Sequence, residues 1–518
     1  MSYRRYDPPT PRLLGYDPYF DLPPDHLARM VELVVEGAKL PLKLPGGPGQ
    51  PAFNPKLPLK ILLLGYATGI RSSRQLEQAC NENLSYLFLT RGDTPCYRVL
   101  CSFRVEQSDM IEKIFVELFA LAAECGMQRL GRIAIDSTKL RADASPESIV
   151  GVKQYQAVID ELKLILAEAK KVDEKEDQNG TGQIRTGQVI ETDNMRDILR
   201  RVRKNIARAH KTGDPEKSGD TPIDEIERKP LGPRMLPQII QAIETLEEAQ
   251  QSGEKHACLT DPDARMMGEG RARNICECHS FEVAVDEESG LLVAGQTSQS
   301  STDNSRLIEL VEAAKVYEPD GVASVDADSG YYSGDMVSAL IAEGIDVCIP
   351  DSNTAGDLHR NQEIGTTRSK SVGSVVLTYD TAANLYRCPE GNELTARQHK
   401  KSAGQTVTTY RATRLCTGCP LAAACLSKPT AKFRSVMRSD NAEVLEAARE
   451  RFKDPEHVAR YNGRGMHVET VFAFLRSVLG YSRWMVRGKE RVACEAKLLK
   501  TSYQLRKIHV QWANHASS

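Results

Sequence analysis

The sequence predicts a mixed α/β protein with an all-helical N-terminal part. Three patterns carry that expectation. Apolar residues recur at helical spacing from Pro24 to Gly126. Short apolar runs follow, such as Ile133-Ala134-Ile135 and Ile345–Pro350, set between helix-spaced segments. Helical spacing then resumes from about residue 441. Runs of this kind are typical of strands buried on both faces, and their mixture with a hairpin points to both kinds of crossover in one sheet.

The chain has 518 residues, too many for one ordinary domain. Its 41% hydrophobic and 27% charged residues are those of a soluble globular protein. A net charge of −2 excludes a chain that is basic throughout. Charge is uneven, however: from Lys432 onward there are 17 Lys/Arg against 9 Asp/Glu, and residues 1–105 are mildly basic. Local positive surface matters more to nucleic acid than the total. Runs such as Ile61–Leu64 fall far short of a bilayer span, so no membrane partner is expected. The opening MSYRRYDPPTPR lacks a secretory apolar core. Thirteen cysteines, an odd number spread over a long chain, suit a reducing cytoplasm better than a disulfide framework.

In order, residues 1–22 read as an extended arm, and a helix follows to about Ala38 with Asp25 as its cap. A Pro- and Gly-bearing loop covers 41–58. Helices are predicted at Leu59–Thr68, Ser72–Asn81 and Pro95 to about Glu106. Arg71 and Arg74 start one of them, and Arg98 and Arg104 fall on one side of the next at roughly helical spacing. Compact helices with exposed arginines suit a helix-turn-helix-like DNA reader. A further helix, 107–126, leads to a strand ending at Asp136. Residues 146–255 are charged. They have helical spacing at Gln154–Lys171, Met195–His210 and Leu236–Gln251, with loop-like DEKEDQNGTG and KTGDPEKSGDTP between them. This reads as a helical insertion. Ser280–Asp286 and Leu291–Thr297 form a hairpin. Helix Ser305–Val316, strand Gly321–Val325, helix Ser333–Glu343 and strand Ile345–Pro350 complete the core. Residues 351–440 are polar and turn-rich, and helix returns over 441–509 with Glu469 near a helix start.

Three clusters could carry chemistry. Asp136, Asp328 (or Asp326, two residues earlier) and Glu469 are carboxylates that a sheet and a helix can bring together. Such a set holds two divalent cations for in-line phosphoryl displacement, and hard oxygen ligands suit Mg²⁺ or Mn²⁺. Cys416-x₂-Cys419-x₅-Cys425, with Cys388 upstream and His399 as a substitute ligand, could hold a structural Zn²⁺. Cys276-x-Cys278-His279 is looser and reads as packing, and Asp143 as a turn residue. Arg483, Arg487, Lys489 and Arg491 around Trp484 form a basic stretch suited to phosphate.

The motifs resemble, over nearly the whole chain and in order, the bacterial insertion-sequence transposases of the DDE class. LPPDHLARMVELVVEG, GIRSSRQLEQA and TPCYRVLCSFR resemble the helical N-terminal domain of one branch. AIDSTKLRADAS and ADSGYYS resemble its first- and second-aspartate motifs, with TDPDARMM as the central segment. YNGRGMHVETVFAFLRSVLGYSRWMVRG resembles its closing Tyr–Arg–Glu–Lys signature. The resemblance implies a ribonuclease-H-like core with Asp136, Asp328 and Glu469 as the metal-binding triad, and it favours Asp328 over Asp326. Tyr461 and Arg464 take the signature's DNA-backbone positions. Arg476 stands where the family has Lys, keeping the charge but presenting a planar fork.

The expected organisation is a helical DNA-binding domain over 1–127 and a ribonuclease-H-like core over 128–350, interrupted by a helical insertion at 146–256. A cysteine-bearing insertion over 351–440 and a C-terminal part of the core over 441–518 follow. The implied function is a cytoplasmic, nucleoid-associated DNA transposase. It would bind terminal inverted repeats, cleave the ends, join them to target DNA, and act as at least a homodimer. A metal-dependent nuclease without strand joining and a catalytically lapsed DNA-binding regulator are the alternatives.

Overall fold

The computed structural model describes residues 21–41, 52–178, 199–200, 236–269, 274–300, 306–364, 375–402, 405–426, 428 and 430–516. Residues 1–20 and 42–51, most of Met195–His210 and the KTGDPEKSGDTP loop fall outside them, whereas residues 173–178 of the expected DEKEDQNGTG loop are helical.

Six helices open the fold: α1 Leu27–Gly37, α2 Lys56–Ala67, α3 Ser73–Glu82, α4 Leu84–Thr90, α5 Tyr97–Glu106 and α6 Ser108–Glu124. Helix α4 was not expected from the sequence. Asn83 accepts from the Ser85 amide at its start, and Arg91 ends it in the left-handed region. Helix α2 is buried on all sides, including Lys60, whose ammonium lies 2.6 Å from Glu32 and also pairs with Glu36. A charge taken from water is held only where it is paired.

The central sheet comprises β1 Arg132–Arg141, β4 Arg265–Glu269, β5 Asn274–Asp286, β6 Leu292–Ser298, β7 Ser324–Ala327 and β8 Asp346–Cys348. Its order is β4-β5-β1-β7-β8, with β6 on β5 beside β4. The ladders β1/β7 and β7/β8 are parallel, and β5 runs antiparallel to β1, β4 and β6. Helices α9 Leu307–Lys315 and α10 Gly334–Ala342 make the crossovers. Gly131 sets the β1/β7 register. It has φ +68°, its carbonyl accepts from Ala323 and Ser324, and a Cβ there would strike the Gly321 carbonyl. Only glycine tolerates that approach.

Helices α13 Ala442–Glu450, α14 Pro455–Ala473 and α15 Lys489–Ala516 close the chain. One hydrophobic core runs from Leu27 and Leu62 through Ile133, Val283 and Val325 to Val468, Trp484 and Leu499. The N-terminal helices therefore share their core with the sheet and the C-terminal helices.

Two parts have their own cores. In the insertion, α7 Tyr155–Gln178 packs on α8 Leu236–Ser252 through Val158, Leu162, Ile239 and Leu246. It joins the body at the short ladder of β2 Ile149–Gly151 with β3 His256–Cys258. Beyond α11 Ser352–His359, residues expected to be turn-rich form an antiparallel sheet: β9 Thr378–Asp380, β10 Leu385–Arg387, β11 Glu393–Ser402, β12 Gln405–Ala412 and β13 Ser435–Ser439, with the single turn α12 Ala422–Cys425 before β13. Tyr386, Leu394, Tyr410 and Ala412 are its small buried core.

Candidate catalytic site

Asp136 does not end its strand. β1 continues to Arg141, because β5 pairs with it as far as Arg141↔Cys278. What ends there is the parallel neighbour: the β1/β7 ladder finishes at Ile135↔Ala327. Asp136 and Asp328 are the next residues on the two adjoining strands. In-register side chains share a face, so Asp136 lies with Ala134 and Asp326 on the side facing α14, where Arg460 reaches Asp326. Asp136 is half-buried and accepts the Ser137 amide at 2.7 Å. Asp328 caps a single helical turn, accepting the Gly330 amide at 2.9 Å.

The alternative ligand is otherwise engaged. Asp326 is 1% exposed and is gripped by Arg460, whose Nε donates at 2.9 Å and whose second arm reaches the other oxygen. Burial raises the Asp326 pKa, and Arg460 works against that rise. Arg460 also bonds Asp346, which Arg451 meets at 2.6 Å. Asp326 is thus a structural anchor one pleat from Asp328.

Asp454 caps α14 by accepting from the Glu456 amide at 3.0 Å, with Pro455 in the first turn. Glu469 therefore lies late in the helix, not near its start, and is exposed. Tyr461, Gly465 and Glu469 follow at four-residue spacing and share one flank. Tyr461 feels the Asp328 carboxylate: burial raises its pKa first, Arg464 opposes this and Asp328 adds to it. The Arg464 guanidinium lies 4.0 Å over the Tyr461 ring. Asp328, Tyr461 and Arg464 line one cavity of about 910 Å³, together with Asn361, Phe452 and Lys453. Just beyond α14, Arg476 donates to the Thr138 hydroxyl at 2.7 Å and the Lys139 carbonyl at 3.0 Å. The flank carrying Glu469 is therefore tied to β1 past one end and reaches Asp328 at the other. Among the described residues, no three His, Cys, Asp or Glu side chains stand together closely enough to hold a metal ion.

The other arginines divide sharply. Arg74 and Arg98 are exposed, both near the Tyr97 ring at 5.2 and 5.9 Å. Arg104 is only 3% exposed and donates to the Arg71 carbonyl at 2.6 Å and the Ser73 hydroxyl at 2.9 Å. This corrects its expected place beside Arg98: six residues turn a helix by about 240°, so the two point apart. Arg71 lies 4.4 Å over the Tyr481 ring and donates to the Gly480 and Arg483 carbonyls, tying the helical region to the C-terminal turn. Arg483 and Arg487 both meet Asp143.

The four cysteines lie near one another beside the second sheet, close enough for Cys388, Cys416 and Cys419 to act on Cys425, but no three of them form a metal-ligating group. Amides of Asn392, Arg434 and Leu421 point at the sulfurs of Cys388, Cys416 and Cys419, at 3.2, 3.4 and 3.4 Å. Burial raises the Cys425 pKa, and the other three thiols act on it in the same direction, with Arg434 opposing. His399 instead bonds Thr408 at 2.9 Å. Cys276 and Cys278 lie 3.4 Å apart, and His279 pairs with the buried Asp261 at 3.0 Å.

Sequence reasoning missed Arg460, Asp346, Asp261 and Asp263. Asp261 and Asp263 accept from the amides of Gly488 and Lys489 at 3.0 and 2.8 Å, fixing the start of α15. The TDPDARMM segment was the one available signal.

No described helix is long and apolar enough to cross a membrane. Among curated proteins, none matches the chain. A solved structure, the synaptic complex of the piggyBac transposase with hairpin DNA, is 11% identical and aligns with 97% of this chain and 79% of that one. Its TM-score of 0.29 is too low to bear on the fold. Two family descriptions match: "Transposase domain (DUF772)" over residues 18–106 and "Transposase DDE domain" over residues 387–509. The first covers the opening helices, and the second takes in the cysteine cluster, Tyr461, Arg464, Glu469 and Arg476. The two matches, in their expected order, support an insertion-sequence transposase of the DDE class.

Proposed function

We propose that the protein binds the terminal inverted repeats of its mobile element, cleaves DNA at the element's ends and joins the freed ends to target DNA. Asp136, Asp328 and Glu469 are the acting carboxylates, on a ribonuclease-H-like core. The observation that carries this reading is the β1/β7 register, which puts Asp136 and Asp328 one step beyond Ile135↔Ala327 on adjoining parallel strands. The sheet order, with β1 between antiparallel β5 and parallel β7, supports the core assignment.

Carboxylate oxygens suit a hard divalent cation such as Mg²⁺ or Mn²⁺, and the three carboxylates would have to close up to hold one, since no three such side chains stand together among the described residues. Bound there, the metal would activate the attacking oxygen and stabilise the leaving one. The protein's own groups would hold the DNA. Arg464, over Tyr461 and beside Asp328, and the exposed Lys453 offer cationic contacts to a backbone entering the cavity. Arg74 and Arg98 offer the same from α3 and α5, and Arg476, Arg483 and Arg487 from the C-terminal turn. Cys388, Cys416, Cys419 and Cys425 would hold a structural Zn²⁺, supported by the amides aimed at three of the sulfurs. Pairing two DNA ends requires at least a homodimer.

The test is strand cleavage and strand transfer with labelled terminal-repeat DNA and plasmid target. Asp136→Ala, Asp328→Ala and Glu469→Gln should each abolish both steps while melting as the wild type does. Cleavage unchanged in any of them would remove that residue from the triad. Cleavage without joined product would favour a nuclease. Metal analysis of the purified chain should find one zinc, lost in Cys416→Ser.

A further inference from the structure

The second sheet concentrates positive charge. Residues 385–439 contain ten Lys/Arg and two Asp/Glu, in a chain whose net charge is −2. The register separates these charges into two faces. Tyr410↔Ala396, Tyr410↔Val436 and Thr408↔Arg438 lie on the side of the small core. On the other side, Gln398↔Thr409↔Met437 and Thr395↔Arg411↔Ser435 form rows across β11, β12 and β13, and Lys400 pairs with Val407. Gln398, Lys400, Arg411, Ser435 and Met437 on this face are exposed, Met437 by 75%. Arg397, at the irregularity in β11, is exposed beside them. Residues 395–400, 407–411 and 435–439 contain no Asp or Glu. Glu393, at the start of β11, is occupied by Arg387 at 2.7 Å, and Asp440 follows the last residue of β13.

A face of cations, hydroxyls and an amide without carboxylates is complementary to phosphate. Arg and Lys neutralise it, and Ser, Thr and Gln donate to its oxygens. An acidic protein surface would also be attracted. The regular spacing of cations and hydroxyls across three strands, however, matches the repeating phosphates of a duplex.

The sheet is also joined to the candidate site. Arg438, lying 3.9 Å over the Tyr379 ring, donates to Glu446 of α13 at 2.8 Å. Arg449, also on α13, meets Asp351 at 2.8 Å, and α13 leads directly into α14. DNA held on the sheet would thus be held by a part tied to the helix that carries Tyr461 and Glu469.

We infer that the exposed face of β11–β12–β13, with Arg397, Lys400 and Arg411 as its cations, is a second duplex-DNA contact that grips phosphate without reading sequence. The inference rests on the transposase reading above. It differs from that reading in assigning DNA contact to the β11–β13 face, which that reading leaves without a role.

The experiment measures binding of the full chain to a terminal-repeat duplex and to an unrelated duplex by fluorescence anisotropy across a salt series. The variant is Arg397→Gln/Lys400→Gln/Arg411→Gln. The control, Lys113→Gln/Lys163→Gln/Lys315→Gln, removes equal charge from α6, α7 and α9. The sheet variant should bind both duplexes at least tenfold more weakly than the control. Its slope of log K against log salt should become shallower by about 0.9 for each phosphate no longer neutralised. Arg411 lies 4.2 Å over Phe433, so Arg397→Gln/Lys400→Gln is measured alongside and should show the same direction without touching that packing. Affinity and slope equal to those of the control would overturn the inference and leave the transposase reading intact. A wild type with no salt-dependent DNA binding would overturn both.

Discussion

Arg460 on α14 donates to both carboxylate oxygens of Asp326 on β7, and Asp326 lies one pleat before Asp328. The helix that carries Tyr461 and Glu469 is thereby fastened to the strand that presents the second aspartate. Asp326 is 1% exposed, so removing its partner leaves a buried carboxylate alone. Arg460→Met should cost about 3–5 kcal/mol in denaturant melts. Arg460→Met combined with Asp326→Leu should recover most of that loss. A double variant no more stable than the single would show that the pair is not the source.

Glu495 is a second buried carboxylate, satisfied by neutral donors. It accepts from the Tyr66 and Tyr481 hydroxyls at 2.7 and 2.8 Å and from the Met485 amide at 2.8 Å. It joins α2, the C-terminal turn and α15. Glu495→Leu would strand two buried hydroxyls and the part-buried Met485 amide and should lower stability by about 3 kcal/mol or more. Glu495→Gln, which keeps an acceptor, should lose less. Urea melts of the two variants make the comparison.

Glu318, only 4% exposed, gives a pH dependence of defined sign. Burial and the nearby Asp286 carboxylate push its pKa up to about 7. In the unfolded chain the group ionises near 4.5, so between about pH 4.5 and 7 the folded state binds more protons. Stability from this group is complete below the unfolded value and is lost as pH rises through the folded one. The loss is up to about 3 kcal/mol. Glu318→Gln should flatten that limb and melt higher than the wild type at pH 8. An unchanged pH slope would exclude the group.

The insertion should loosen without the body. Leu246 is fully buried in the α7–α8 core, which is separate from the main one. Leu246→Ala should cost about 2–5 kcal/mol there. Hydrogen exchange should quicken in α7 and α8 while β1, β5 and α15 keep wild-type protection.

The sequence disclosed the elements whose period is unmixed. The N-terminal helices, the 280–297 hairpin and the Asp136 and Asp328 strands were legible because apolar runs mark them locally. Strand β1 is longer than its apolar run because a distant partner, β5, pairs with its polar half. The β9–β13 sheet escaped notice because only four residues build its core, and its outer face is as polar as a loop. Arg104 and Arg460 were illegible for a different reason. A buried arginine is identified by its acceptors, and those of Arg460 lie more than a hundred residues away. The helix period still separates Arg98 from Arg104, and it is the one signal that could have placed the latter inside.

The chain between Asp136 and Asp328 leaves and re-enters the body at neighbouring points, where Ile149, Val150 and Gly151 pair with Cys258, Ala257 and His256. The described residues inside that clasp, chiefly α7 and α8, form a side branch with its own core. Its length does not enter the distance between the two aspartates, which is set by Gly131 against Gly321 and the ladder that follows. The branch can lengthen, shorten or be exchanged over evolutionary time while the two carboxylates keep their spacing.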